Sequence, residues 1–361
     1  ISFIFLVTTR KHRNPFLIIR SESLTNNTLT MLIKRIRSIQ PDAPDCPPDW
    51  RSSLGQILVA IDTDTGLTGY GVGGGGRASI HIIESVLKPI LIGQSAENIE
   101  SLWSLMYRAT LPFGRKGLAI MAISGVDLAL WDLRGKKAEL PVARLLGGSI
   151  DHPIPTYSTL FSPEVLPRLQ QGQRSFKIHV NSFSDTPDRK QLVDQVTAVR
   201  NTIGPDCDLM FDAFMSWNLS TTLQMIESFE PLNLLWLEEP LPCDDLDGYE
   251  QLSRESVIPI AGGEHEYTSS GFSDLVSRRL HTILQPDVCW CGGLTELIKI
   301  YQMGTASGIR VCPHRGAEPW GLHAIAALDP DPLAESGRPW IHWLGNTPQI
   351  ENGKVTLNDR P

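Results

Sequence analysis

Five polar residues recur at nearly constant intervals in the second half of the chain: Asp212, Glu238, Glu264, Asp287 and His314 stand 26, 26, 23 and 27 residues apart. Each closes a short apolar run, as Glu238 does in "LLWLEEPLP". A buried, unpaired carboxylate is among the costliest groups a fold can contain, so these runs must end where the acids share an opening. Eight strand candidates follow Pro153: "PIPTYST", "SFKIHV", "DLMFDAF", "LNLLWLEE", "VIPIAGGE", "HTILQPD", "GIRVCPH" and "PLAE". They alternate with amphipathic helical segments and carry no hairpin signals. That pattern implies parallel pairing, most economically a (β/α)8-type barrel, in which a strand-helix unit takes ~25 residues and the C-terminal strand ends surround one site.

Neighbouring strand residues point to opposite faces, so Glu238 and Glu239 cannot enter that site in the same way, and Glu238 is expected to be the inward one. Asp212, Glu238 and Glu264 together would repel one another unless a cation lies between them. An all-oxygen ligand set favours a hard divalent ion, Mg²⁺. Asp287 and His314 end the next two strands. A carboxylate on one imidazole nitrogen fixes the tautomer and leaves the other nitrogen free to take a proton. Lys177 in "RSFKIHV" lies across the ring, placed to offset a substrate carboxylate or a developing enolate, and His179 shares its face. These parts suggest abstraction of a proton α to a metal-chelating carboxylate. Loss of a β-hydroxyl would then give dehydration, whereas a second base, Lys177 or His179, would give racemisation.

The remaining features narrow the reading. The chain has 361 residues, 41% hydrophobic, with a formal net charge of -8 and no Lys/Arg cluster interleaved with aromatics. A nucleic-acid partner is therefore not expected, and small molecules are. Six scattered cysteines, Cys289-x-Cys291 among them, form neither a disulfide framework nor a paired zinc motif, in keeping with a reducing, cytoplasmic location. The opening "ISFIFLV" is too short to span a membrane. Residues 1–30 read as a disordered or upstream segment, with folding expected from Met31. "GQILVAIDTDTGLTGYGV" reads as an antiparallel hairpin, followed by helical patterns in "IHIIESVLKPILIG", "NIESLWSLMYRATL" and "AIMAISGVDLALWDLRGKKA", so residues 31–152 form a small α+β unit. "GYGVGGGG" matches a dinucleotide fingerprint in letters only. Its strand is half of a hairpin rather than the first strand of a βαβ unit, and the glycines read as a flexible turn. "WD" at Trp131-Asp132 lies mid-helix, without a propeller repeat.

On "ISGVDLALWDLRGK", "PVARLLGG", "LMFDAFMSW", "WLEEPLP", "GGEHEYT", "QPDVCWCGGLTE" and "VCPHRGA", the chain resembles the mandelate racemase subgroup of the enolase superfamily. The resemblance implies an α/β fold: a modified (β/α)7β TIM-type barrel, residues 153–335, beneath an α+β capping domain, with 336–361 returning to the cap. It implies Mg²⁺ on Asp212, Glu238 and Glu264, His314 with Asp287 as the base dyad, Lys177 and Glu335 as further catalytic groups, and substrate contacts from Arg51, His179, His265 and Trp320. It also implies a homo-oligomer acting on a sugar acid. "DLMFDAFMSWN", "GGEHE" and "QPDVCWCGGLTEL" are most similar to members that dehydrate L-rhamnonate. Two features depart from that pattern: no histidine occurs between Met31 and Ile61, and His179 stands where racemases keep a lysine. L-lyxonate, L-mannonate and racemase or epimerase chemistry stay open as alternatives.

Overall fold

The computed structural model describes residues 30–42, 53–160, 165–180, 184–336, 341, 343–345 and 347–361. The expectations for segment 1–29 and for Arg51 lie outside the described residues. The capping sheet runs β1 (Ile33–Ile39), β2 (Ile57–Thr63), β3 (Thr68–Gly73), all antiparallel. Gly66, at φ 86°, makes the β2–β3 turn in a left-handed conformation that costs glycine nothing. β1 has no two-residue hydrophobic period. A register shift between Ile33 and Arg35 places its buried residues, Ile33 and Ile36, three apart, as a β-bulge does.

The glycine-rich stretch is a packing device. Gly69, Gly71 and Gly73 lie on one face of β3 against the helix Leu118–Ala138. A Cβ on Gly71 would fall 2.2 Å from the Gly125 carbonyl oxygen, and one on Gly73 2.4 Å from that of Met121. A flexible turn was expected; close strand-to-helix contact is found. The helix itself is buried on nearly every side, since the sheet covers one face and the barrel another.

The barrel strands are β4 (Ile154–Leu160), β5 (Ser175–His179), β6 (Asp208–Asp212), β7 (Trp236–Glu238), β8 (Ile260–Gly262), β9 (Ile283–Leu284), β10 (Arg310–Val311) and β11 (Ala334–Ser336). β4 to β10 pair successively in parallel, and β11 pairs in parallel with β4 from the other side. A helix follows each of β4 to β10 but not β11, which is a (β/α)7β order among the described residues. Outward residues such as Phe211 and Leu237 join the main core, while Tyr157, Met210, Trp236, Ile283, Cys312 and Leu333 fill the lumen. In the C-terminal segment, β12 (Ile350–Glu351) and β13 (Lys354–Val355) form a hairpin added antiparallel to β4. Trp343 reaches the capping domain, its Nε1 donating to Gln56 Oε1 at 3.2 Å. No helix among the described residues is long and apolar enough to cross a membrane.

Cap and barrel meet through hydrogen bonds as well as packing. The barrel helix Leu294–Ser307 begins at Gly293 without a side-chain cap of its own. The cap supplies one: Thr295 donates its backbone N–H to Asp127 Oδ2 at 3.0 Å and its hydroxyl to Asp127 Oδ1 at 2.6 Å. Ser124 Oγ accepts the Gly292 N–H at 2.9 Å, and Trp131 Nε1 donates to Thr295 Oγ1 at 3.0 Å. Ser124, Asp127 and Trp131 fall on one helical face. An N-cap is worth about 1 kcal/mol. Burial, opposed by the bonds from Thr295, nevertheless pushes Asp127 up to about 7.

A folded-state pKa raised above the unfolded value gives stability that is full below the unfolded pKa and is lost as pH rises through the folded one. Asp127 therefore destabilises the fold progressively as pH climbs from about 4 past 7, by at most about 4 kcal/mol. Melting curves at pH 5 and pH 8 check this: Asp127→Asn should lose less Tm than wild type over that interval, and parallel losses would contradict it.

Candidate active site

Strand register brings the expected groups side by side. His179 pairs with Asp212, and Asp212 with Glu238, so the three share one face at the C-terminal strand ends. Glu264 lies two residues beyond β8, and Asp287 and His314 are joined by a parallel bridge past β9 and β10. Lys177 rises from the lumen below them, fully buried. Its ammonium donates to Glu238 Oε1 and lies 3.4 Å from Asp212 Oδ2 and 3.1 Å from Glu335 Oε1. The other Glu238 oxygen accepts from Trp236 Nε1 at 3.0 Å and Gln285 Nε2 at 2.7 Å. Burial, only partly offset by Lys177, pushes Glu238 up to about 8. Glu335 accepts from Thr159 Oγ1 and from the Arg315 N–H.

Glu239 departs from strand alternation. Its backbone at φ 36° turns it to the rim, where it is buried beside His265, with Nδ1 and Glu239 Oε2 2.7 Å apart. Burial opposes the charge on both. The ion pair prevails, raising His265 to about 10 and holding Glu239 below the usual carboxylate range. Glu264 is pushed up to about 7 by burial, against the pull of His314 and His265. Among the described residues, the acidic and imidazole ligand atoms that gather within 4.8 Å of one another belong to Glu239, Glu264 and His265. That set overlaps the expected trio only at Glu264.

The dyad is well formed. His314 Nδ1 is 2.8 Å from Asp287 Oδ2, and Nε2 lies 3.3 Å from Glu264 Oε2. Burial works to raise Asp287, but Arg315 and His314 overcome it and hold the carboxyl at about 2. As an ionised carboxylate only accepts, Nδ1 of a neutral His314 carries the proton and Nε2 is bare. Around the rim an arc of rings runs His179, Phe214, His265, Trp290, His314, with successive centroids 5.1, 5.3, 5.8 and 5.8 Å apart.

Residues 51–147 match the family model for the mandelate racemase / muconate lactonizing enzyme N-terminal domain, and residues 164–361 match that for the enolase C-terminal domain-like fold. The chain belongs to the mandelate racemase subgroup of the enolase superfamily. It is 35% identical to an L-rhamnonate dehydratase of Saccharopolyspora erythraea over 80% of this chain and 76% of that one. Among solved structures, it is similar to a racemase from Streptomyces coelicolor A3(2) with bound magnesium, at TM-score 0.83 and 31% identity over 91% of this chain and 96% of that one. It is likewise similar to the L-rhamnonate dehydratase from Gibberella zeae, at TM-score 0.81 and 32% identity over 93% and 94%. The subgroup thus offers both dehydration and racemisation as precedents.

For this member, the expected residues fall in different places. Asp212, Glu238, Glu335 and Lys177 form one lumen cluster, and Glu264, Asp287 and His314 a second, adjoining it. His179 lies beside Asp212, its Nε2 3.7 Å from Oδ2, and Nδ1 is 2.6 Å from the Val180 carbonyl oxygen. Trp320 Nε1 donates to Glu318 at 2.9 Å and its ring stacks on Trp343. Gln285, which donates to Glu238, carried a sequence signal in its place two residues before Asp287. Glu239 and Arg315 carried no such signal, because positive backbone angles, φ 36° and 54°, take them out of alternation.

The two glutamates can be told apart by calorimetric titration with Mg²⁺. Glu238→Gln should weaken binding at least about tenfold more than Glu239→Gln, in line with the loss of a charged ligand from a hard-ion site. The reverse order would assign the ion to the Glu239, Glu264, His265 set.

Proposed function

We propose that this enzyme is a Mg²⁺-dependent sugar-acid dehydratase that converts L-rhamnonate to 2-keto-3-deoxy-L-rhamnonate and water. The observation that carries the reading is the Asp287–His314 dyad, whose Nε2 is directed at the acid cluster, 3.3 Å from Glu264. The likeness to L-rhamnonate dehydratases supports the choice of substrate.

The residues fit a magnesium ion. Glu264 Oε2 is buried and makes no hydrogen bond among the described residues. Burial raises both Glu238 and Glu264, a cost that a divalent cation would remove by favouring their ionised forms. Asp212, Glu238 and Glu264 offer only oxygen, the donor Mg²⁺ prefers, whereas the rim set includes an imidazole already paired with Glu239. When bound, the ion supplies Lewis-acid stabilisation of negative charge at the substrate carboxylate.

His314 Nε2 takes the proton from C2, while its Nδ1–H keeps donating to the Asp287 carboxylate, which stabilises the imidazolium. The C2 electron pair moves toward the carboxylate, where the Lys177 ammonium adds positive charge from below. The C3–O bond then breaks and the departing hydroxide takes the proton back from Nε2 as water. The resulting enol gains a proton at C3 as its own O–H proton is lost, leaving the 2-keto-3-deoxy acid. Lys177 directs its ammonium at three carboxylates, which suits a fixed cation better than the second base that racemisation needs.

Incubation with Mg²⁺ and a panel of sugar acids tests the proposal. A semicarbazide-reactive keto acid from L-rhamnonate is expected. α-Deuterium exchange without keto acid would indicate a racemase. His314→Asn should lower kcat by at least about 10³-fold, as loss of a positioned general acid–base does, with Mg²⁺ affinity by calorimetry within about threefold of wild type. Retained turnover would remove His314 as the base.

A further inference from the structure

Arg315 follows His314 directly, yet its side chain returns to the same carboxylate. Its backbone, at φ 54°, is in the left-handed region that a non-glycine residue keeps only where its surroundings hold it there. What the turn achieves is visible in the contacts. Arg315 Nε donates to Asp287 Oδ2 at 2.9 Å and Nη2 to Oδ1 at 3.2 Å, one bond to each oxygen. Oδ1 also accepts the Cys289 N–H at 2.7 Å, and Oδ2 receives His314 Nδ1 at 2.8 Å. Each Asp287 oxygen therefore serves two donors, and the plane of the carboxylate is fixed.

Arg315 is itself held from three sides. Its N–H donates to Glu335 Oε2 at 2.8 Å, its guanidinium carbon lies 5.6 Å from the Trp290 ring centre, and Nη1 is 3.8 Å from Glu318 Oε2. Glu318 in turn accepts from Trp320 Nε1. The Arg315 side chain is 5% exposed, so its partners are protein groups rather than solvent. A planar fork that grips both carboxylate oxygens sets direction as well as charge, which an ammonium cannot do.

We propose that Arg315 is a positioning residue that turns the Asp287–His314 dyad into a triad, by clamping Asp287 so that its lone pair fixes the imidazole with Nδ1 protonated and Nε2 bare toward the site. The proposal rests on the reading of His314 as the proton-transfer group. A merely structural ion pair would satisfy the charge of Asp287 and leave the imidazole indifferent to the shape of the cation.

Arg315→Lys separates the two, since it keeps the charge and loses the fork, and Arg315→Met removes both. With the histidines ¹⁵N-labelled and the His314 signal assigned from His314→Asn, long-range ¹H–¹⁵N spectra at pH 8 report the tautomer whether or not a substrate is known. Wild type should show one tautomer, protonated at Nδ1, and Arg315→Lys a mixture at a Tm close to wild type. A single unchanged tautomer in Arg315→Lys would overturn the proposal. With L-rhamnonate and Mg²⁺, Arg315→Lys should lose about tenfold in kcat and Arg315→Met about 100-fold, with KM within about threefold, as misplacing a base without losing binding contacts does. A wild-type kcat in Arg315→Lys would also overturn it. If His314→Asn retains turnover, the functional reading fails first. If His314→Asn is inactive while Arg315→Lys matches wild type in rate and tautomer, the Arg315 proposal alone falls.

Discussion

A single ammonium inside the barrel organises the site. Lys177 is fully buried with Glu238, Asp212 and Glu335 around it, and removing either partner from a buried ion pair typically costs several kcal/mol. One cation cannot balance three carboxylates, and Glu264 adds a fourth acid nearby. Burial has already pushed Glu238 and Glu264 toward the neutral form. The site thus holds more acid than base, and its Asp212–Glu238 pair is set by strand register. His179, Asp212 and Glu238 stand in register, so no loop rearrangement is needed to bring them together.

The spacing of strand-end acids made the barrel legible, because each βα unit consumes a similar length of chain and each strand must end on something polar at the open face. All eight strand candidates correspond to strands β4 to β11. What stayed hidden was local backbone geometry. β1 escaped because a register shift broke its alternation, and Glu239 and Arg315 because positive φ angles carry their side chains out of a two-residue period. The bond from the Trp320 indole to Glu318 was likewise not legible.

The capping domain does more than cover the barrel. Its long helix caps Leu294–Ser307 through Asp127 and holds the preceding turn through Ser124, and that turn begins at Asp287. Trp103 adds a hydrogen bond to the Gly292 carbonyl at 2.7 Å. The glycines of β3 let this helix approach closely enough to do so. The turn from Asp287 to Gly293 thus holds the dyad carboxylate at one end, through the Cys289 N–H, and the cap at the other.

If acids on different strands converge on one hard cation, a crystal can show it. Mn²⁺, which shares the oxygen preference of Mg²⁺, can be located in soaked crystals by its anomalous scattering. A single peak bounded by Asp212, Glu238 and Glu264 is expected. A peak held instead by Glu239, Glu264 and His265, or none at saturating Mn²⁺, would contradict it.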